Sequence, residues 1–207
     1  MNLRERLLSH PAIFRAVKIV TLPRGGLDRI VAEHFAVEDG AAVLDLGCGY
    51  GDYAPLFGGA RRYVGIDHNA KYIDVARSAN EAGSAQFYVA DVADPIVAEH
   101  GPYDLIMMSG VLHHLPSTTV TQLAGQIRSL LSPSGRFVAI EPVFTPTQRL
   151  SARLIIASDR GRYVRDEDGY RRLLEPSFSQ IRTEVITGLL RIPYTHIVIT
   201  AGQTVTG

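Results

Sequence analysis

Short apolar runs punctuate this chain at near-regular intervals, at 41–46, 62–67, 85–91, 103–109, 136–141, 181–187 and 196–201. Their lengths suit strands, and the Val, Ile, Phe and Tyr within them favour a pleated, packed surface. Stretches with helical spacing lie between several of the first five, near 69–82, 94–100 and 117–131. Parallel strands need crossover connections and are covered on both faces, so this alternation predicts a parallel sheet clothed by helices. Only residues 188–195 separate the last two runs, too few for a crossover helix, and those strands should pair antiparallel. Ahead of the sheet, residues 2–36 carry helical spacing broken at Pro11 and again at 23–26. Leu27, Ile30, Val31, His34 and Phe35 fall on one helical face. Two or three short helices should therefore precede the first strand.

Composition narrows the class. A chain of 207 residues with 46% hydrophobic and 20% charged side chains can bury a core of its own. No repeat, low-complexity tract or linker divides it, which predicts one domain. The expected divisions are a helical extension at 1–36, a ligand-binding core at 41–142, and a substrate-side segment with closing hairpin at 143–207. Twenty-one basic side chains offset 21 acidic ones, so the bulk charge offers no reason to seek nucleic acid. One cysteine excludes an internal disulfide and any multi-cysteine metal site, and no metal is expected. The charged start of the chain is followed by no apolar block long enough to span a bilayer. The expectation is a cytoplasmic protein that uses no membrane, with a homodimer left open.

The chemistry concentrates at the ends of the apolar runs. The first run leads into Asp45, Gly47, Cys48, Gly49 and Gly51, an acid followed by three alternating glycines. Glycine tolerates backbone angles that other residues avoid and keeps no side chain between backbone and ligand. Open α/β sheets bind ligands outside the carboxyl ends of their strands, where this turn stands. The second run ends at Asp67, 18 residues past Gly49, near the spacing at which an acid accepts both hydroxyls of a ribose. The third ends at Asp91. The fourth ends at Ser109 and leads into His113-His114-Leu115-Pro116, and the fifth ends at Glu141.

Asp45-x-Gly47-x-Gly49-x-Gly51, the two later strand-end acids and the His-His-Leu step together resemble class I S-adenosylmethionine-dependent methyltransferases. The likeness is to the bacterial small-molecule type and covers roughly residues 40–142. It implies a doubly wound, Rossmann-like α/β fold. Five parallel strands would carry a terminal antiparallel hairpin, seven in all, in the order 3-2-1-4-5-7-6, with helices on both faces. It implies S-adenosylmethionine as cofactor, leaving as S-adenosylhomocysteine, held by Asp45, Gly47, Cys48, Gly49, Gly51, Asp67, His68, Asp91, Val92 and Ser109. Asp91 would accept from the adenine amino group. His113 or His114 is the candidate base, His113 the first choice, with Glu141 as the alternative.

Plainer readings exist for each piece. Asp67 and Asp91 could start helices; His113 and His114 could cap one; Cys48 could simply be small. Gly49-x-Gly51-x-x-Ala54 also satisfies the dinucleotide fingerprint, which would make the protein an NAD-dependent oxidoreductase. Acids at 45 and 52 oppose that, since a pyrophosphate is anionic and the S-adenosylmethionine sulfonium is a cation. A cofactor-binding module without catalysis is the remaining alternative. The acceptor should be a small molecule. Arg160, Arg162 and Tyr163 stand in a basic stretch that could grip an acidic one, or could pair with Asp159, Asp166 and Glu167 on a solvated surface.

Overall fold

Period-two alternation along the central strands divides their side chains between two cores. The computed structural model describes residues 23–81, 83–158 and 161–202; the helices expected before residue 23, and Arg160, lie outside them. The sheet runs β3-β2-β1-β4-β5-β8-β7. Its strands are β1 (Ala42–Leu46), β2 (Arg62–Asp67), β3 (Gln86–Val89), β4 (Tyr103–Ser109), β5 (Leu131–Phe144), β7 (Gln180–Thr187) and β8 (Thr195–Gly202), with a short β6 (Arg165–Asp166) beside β5. Strands β1 to β5 pair in parallel, and β8 pairs antiparallel with both β5 and β7.

Strand β1 is flanked on both sides and buried at every position, with Val43 opposite Tyr63 on one side and Leu105 on the other. Leu44, Leu46, Val64, Ile66, Ile106 and Met108 face one core. There they meet Val120, Leu123 and Ile127 of α4 (Ser117–Leu130) and Tyr170 and Leu174 of α6 (Glu167–Leu174). Val43, Tyr63, Leu105 and Met107 face the other, against Ile73 and Ala76 of α2 (Ala70–Ala79) and against Ile30 and Phe35. Those last two belong to α1 (Gly26–Ile30) and the π turn Val31–Phe35, and they carry the apolar face expected there. Helices thus cover both faces. The remaining helices are α3 (Pro95–Glu99) and α5 (Leu150–Ala157).

Three Asx caps start helices: Asn69 accepts from Lys71 N, Asp94 from Ile96 N and Asp166 from Gly169 N. Neither Asp67 nor Asp91 serves as a helix cap. Strand β5 begins at residue 131, five residues before the expected start. Its pairing with β4 jumps from Tyr103–Leu131 to Leu105–Arg136, so the Ser-Pro-Ser-Gly stretch bulges out of the ladder. Strand β6, two charged residues long, has no periodicity by which a sequence could announce it, and it makes the observed sheet eight-stranded.

Candidate functional site

The glycine turn is held from below by β2. The Gly47 and Cys48 amides both donate to the Ile66 carbonyl, at 2.8 and 3.0 Å, and the Gly51 amide donates to Cys48 O at 3.0 Å. All three glycines have positive φ, yet they meet different surroundings. A Cβ on Gly47 would lie 2.7 Å from Val111 Cγ2, and one on Gly51 would lie 2.8 Å from the Phe87 ring. A Cβ on Gly49 would meet nothing within 4 Å among the described residues. Gly47 and Gly51 are packed, whereas Gly49 faces open space.

Asp67 borders that space. Only 8% exposed, its Oδ2 accepts the Gly49 amide at 3.2 Å and its Oδ1 the Asn69 amide at 2.8 Å. One backbone N–H per oxygen aims the carboxylate and leaves it further acceptor capacity for neutral donors. His68 is almost wholly exposed at the rim, its Nδ1 3.6 Å from Asp67 Oδ1. Asp91 is exposed and accepts from Ala93 N at 3.2 Å, while Val92 packs on the core beneath it. Ser109 Oγ, at the end of β4, lies 3.1 Å from the Tyr53 hydroxyl.

Asp45 lies deeper than its place in the motif suggests. It is 2% exposed, and the Tyr63 hydroxyl donates to its Oδ2 at 2.6 Å. Burial first, and then this carboxylate, push the Tyr63 phenol well above its ordinary range. Burial likewise pushes the Cys48 thiol up, with Asp45 and Asp67 adding to it, so Cys48 stays protonated and fills space in the turn. Asp45 therefore sits under the turn with its Oδ2 held by the Tyr63 hydroxyl.

Past β4, the backbone closes around Glu141. This residue is fully buried; its Oε1 accepts the amides of Val111 and Leu112, at 2.9 and 2.8 Å. Its Oε2 takes the His113 amide at 3.3 Å and faces His113 Nδ1 at 2.7 Å. Expected as an alternative base, Glu141 instead turns all its capacity inward and leaves no oxygen for a ligand. His113 is 4% exposed, whereas His114 is exposed, and the two rings lie 4.0 Å apart.

Residues 161–165 run across this loop as a strap. The Tyr163 amide donates to His113 O at 3.0 Å. The Arg165 guanidinium donates to the carbonyls of Leu112, Leu115 and Tyr163, at 3.2, 2.8 and 2.8 Å, and stacks against Tyr163 and Tyr170. Arg165 is thus committed to backbone oxygens, not to Asp166 or Glu167; Asp166 caps α6 and Glu167 accepts from Thr183. Arg162 is exposed and takes no partner among the described residues, and Tyr163 is 39% exposed. The sequence signals missed Tyr63 and Tyr53; for Tyr63, a tyrosine in a strand opposite an acid-bearing one was the available clue.

Two negative observations bound the site. No cluster of three or more His, Cys, Asp or Glu side chains among the described residues could hold a metal ion. A cavity of about 340 Å³ lined by Val31, Val37, Asp39, Leu56 and Ala60 opens at the amino ends of β1 and β2, away from the carboxyl-end residues above.

Comparison with known proteins adds to this geometry. The family model for a methyltransferase domain matches residues 43–135. A 3-amino-4-hydroxybenzoate 4-O-methyltransferase of Streptomyces cremeus is 28% identical over 154 residues, covering 60% of this chain and 42% of that protein. An uncharacterised methyltransferase of Synechocystis is 26% identical over 137 residues, 64% of this chain and 63% of that one. The chain therefore spans about half the length of the curated relatives it matches. The crystal structure of a Synechocystis magnesium protoporphyrin IX methyltransferase with bound S-adenosylmethionine superposes with a TM-score of 0.66 at 20% identity, covering 98% of this chain and 96% of that one.

Proposed function

We propose, from the match of residues 43–135 to the family model for a methyltransferase domain, that the protein transfers a methyl group from S-adenosylmethionine to a small-molecule acceptor, at oxygen or nitrogen. One observation carries the reading. Gly49 faces open space beside a carboxylate already aimed by two backbone amides.

The residues present fit that cofactor. Asp67 would accept both ribose hydroxyls in charge-assisted hydrogen bonds, and Asp91 would take the adenine amino group. The turn of Gly47, Cys48, Gly49 and Gly51 would lie along the amino-acid portion, with His68, Val92 and Ser109 completing the cradle. Buried Asp45 beneath it favours a ligand that carries positive charge. A dinucleotide fits less well. Its pyrophosphate needs a helix N-terminus free of anions, and here the turn leads only into the 3₁₀ turn Ala54–Phe57, above Asp45.

When bound, the cofactor supplies an activated methyl on a sulfonium leaving group. The chain's own task is to align the acceptor, exclude water and receive a proton where the acceptor must lose one. Alignment can lower the barrier by about 7–11 kcal/mol, and a base adds ~10²–10⁴-fold. His113 is the base we assign, with His114 at the mouth beside it. The Tyr163 amide donates to His113 O, and the exposed Arg162 and Tyr163 of this strap would offer a guanidinium and a phenol to an aromatic acid. The hydroxybenzoate named for the Streptomyces relative has that character, and a phenolic carboxylic acid is the acceptor class we favour. A neutral net charge gives no case for nucleic acid. No helix among the described residues is long and apolar enough to cross a membrane. The protein is assigned to the cytoplasm, where its one buried thiol would stay reduced.

Calorimetric titration with S-adenosylhomocysteine and, in parallel, NAD⁺ tests the cofactor. Micromolar binding of the first alone, weakened at least tenfold in Asp67→Ala, is expected. Tighter NAD⁺ binding would overturn the assignment.

A further inference from the structure

We propose that Arg165 is a positioning residue that latches the strap 161–165 onto the loop between β4 and α4. Arg162 and Tyr163 then stand as a fixed wall of the acceptor site and not as a hinged lid. The proposal rests on the methyl-transfer reading above and carries it toward acceptor selection.

The Arg165 guanidinium commits all four of its terminal N–H groups across the gap between two segments. Nη1 donates to Leu112 O at 3.2 Å and to Tyr163 O at 2.8 Å. Nη2 donates to Leu115 O at 2.8 Å and to Ser117 Oγ at 3.3 Å. Three of these acceptors belong to the loop and the start of α4, and the fourth belongs to the strap, so one planar group bridges both sides. Helix stability does not explain the placement: Ser117 opens α4, and a cation at a helix amino end opposes the helix dipole.

Other contacts fix the rest of the strap. Arg165 and Asp166 pair as β6 with Val143 and Phe144 of β5, and the Tyr163 amide donates to His113 O at 3.0 Å. A Cβ on Gly161 would strike the His113 ring, so the strap lies close against the loop. The guanidinium carbon lies 5.6 Å from the Tyr170 ring centroid and 5.8 Å from that of Tyr163. Tyr170 is 1% exposed and its hydroxyl donates to Pro142 O at 3.0 Å, which makes it a rigid platform. Tyr163 is thus held at its amide, its carbonyl and its ring, while the Arg162 side chain just before it stays exposed. Lysine cannot reproduce the bridge. Its ammonium carries three N–H groups on one atom and has no planar fork to span two segments or to stack on a ring. Arg165→Lys therefore keeps the charge and loses the latch.

Hydrogen exchange at the Tyr163 amide, followed by nitrogen-15 NMR of the full chain, reads the latch without any turnover. In Arg165→Lys that amide should exchange at least tenfold faster, while the amides of β4 and β5 stay within about twofold. Turnover of 4-hydroxybenzoate gives the second reading. Arg165→Lys should raise KM by about 5–30-fold, keep kcat within about threefold and leave S-adenosylhomocysteine affinity unchanged. Because Arg165 acts through Arg162, adding Arg165→Lys to Arg162→Ala should change KM by less than about twofold. An unchanged Tyr163 amide, KM effects that multiply, or faster exchange throughout β4 and β5 with a matching loss of kcat would overturn the proposal. A wild type that methylates no hydroxybenzoate, with the Tyr163 exchange split as expected, would sink the phenolic-acceptor reading and leave the latch standing.

Discussion

Gly49 and Gly51 stand two residues apart in one turn, with φ of +54° and +70°, and replacing each by alanine should separate binding from stability. An alanine forced into the left-handed region costs about 1–2 kcal/mol at either position. At Gly49 the new methyl enters open space, so that is the whole stability cost. At Gly51 it would lie 2.8 Å from the Phe87 ring and 3.1 Å from Ala76 Cβ, both inside the core under β2. Overpacking there adds about 1–3 kcal/mol, for a total of about 2–5 kcal/mol. A domain of this size loses about 2–4 °C in Tm per kcal/mol. Gly49→Ala should therefore melt about 2–8 °C low and Gly51→Ala about 4–20 °C low. Binding should rank the other way: the Gly49 methyl projects where the cofactor approaches, and affinity for S-adenosylhomocysteine should fall at least tenfold, while folded Gly51→Ala retains most of it. Thermal melts by circular dichroism and calorimetric titration of the same samples provide the two readings. Equal destabilisation of both variants, or undiminished binding by Gly49→Ala, would refute the division between a packed and a ligand-facing glycine.

Other consequences follow from named side chains. Arg162→Ala should raise KM for a phenolic carboxylic acid by about 5–30-fold, the ~1–2 kcal/mol of a charge-assisted contact at an exposed position, and leave S-adenosylhomocysteine affinity unchanged in the same titration. A loss of cofactor affinity instead would remove Arg162 from the acceptor side. Alkaline stability should fall steeply. Burial raises the phenols of Tyr63, Tyr170 and Tyr53 well above their usual range and that of Tyr103 to about 12. Folded protein keeps those protons while unfolded chain releases them, so the stability they add is complete below the ordinary phenol value near 10 and is lost as pH rises past it. The slope is about 1.4 kcal/mol per pH unit for each tyrosine, readable as the urea midpoint between about pH 9 and about pH 11; a flat midpoint would contradict the buried phenols.

Much of this arrangement was legible beforehand, for physical reasons that can be stated. Strands β1, β2 and β4 are buried on both faces, so they wrote themselves as continuous apolar runs, and the short gap between the last two runs forced an antiparallel return. The glycine turn was readable because only glycine occupies its backbone angles freely. What the glycines individually do was not readable, because Gly49 and Gly51 differ only in what lies across space from them. Glu141 shows the same limit. An acid ending the fifth strand suggested a base, but its four partners come from a loop about 30 residues earlier, and no local pattern records that they fill it. The arginine-rich stretch was read by charge as a binding or solvated surface. Arg165 instead clamps the Leu112 and Leu115 carbonyls, 53 and 50 residues upstream, a long-range contact that composition cannot carry.

We propose that this chain moves a methyl group from S-adenosylmethionine to a small phenolic acid. The most direct measurement incubates the purified protein with cofactor labelled on the transferred methyl and a set of hydroxybenzoates, followed by mass spectrometry of the acceptors. The expected result is a labelled methyl ether on at least one hydroxybenzoate, formed in step with S-adenosylhomocysteine and lost in Asp67→Ala. Tight cofactor binding with no label on any acceptor would contradict it and leave a cofactor-binding module without methyl transfer to this class.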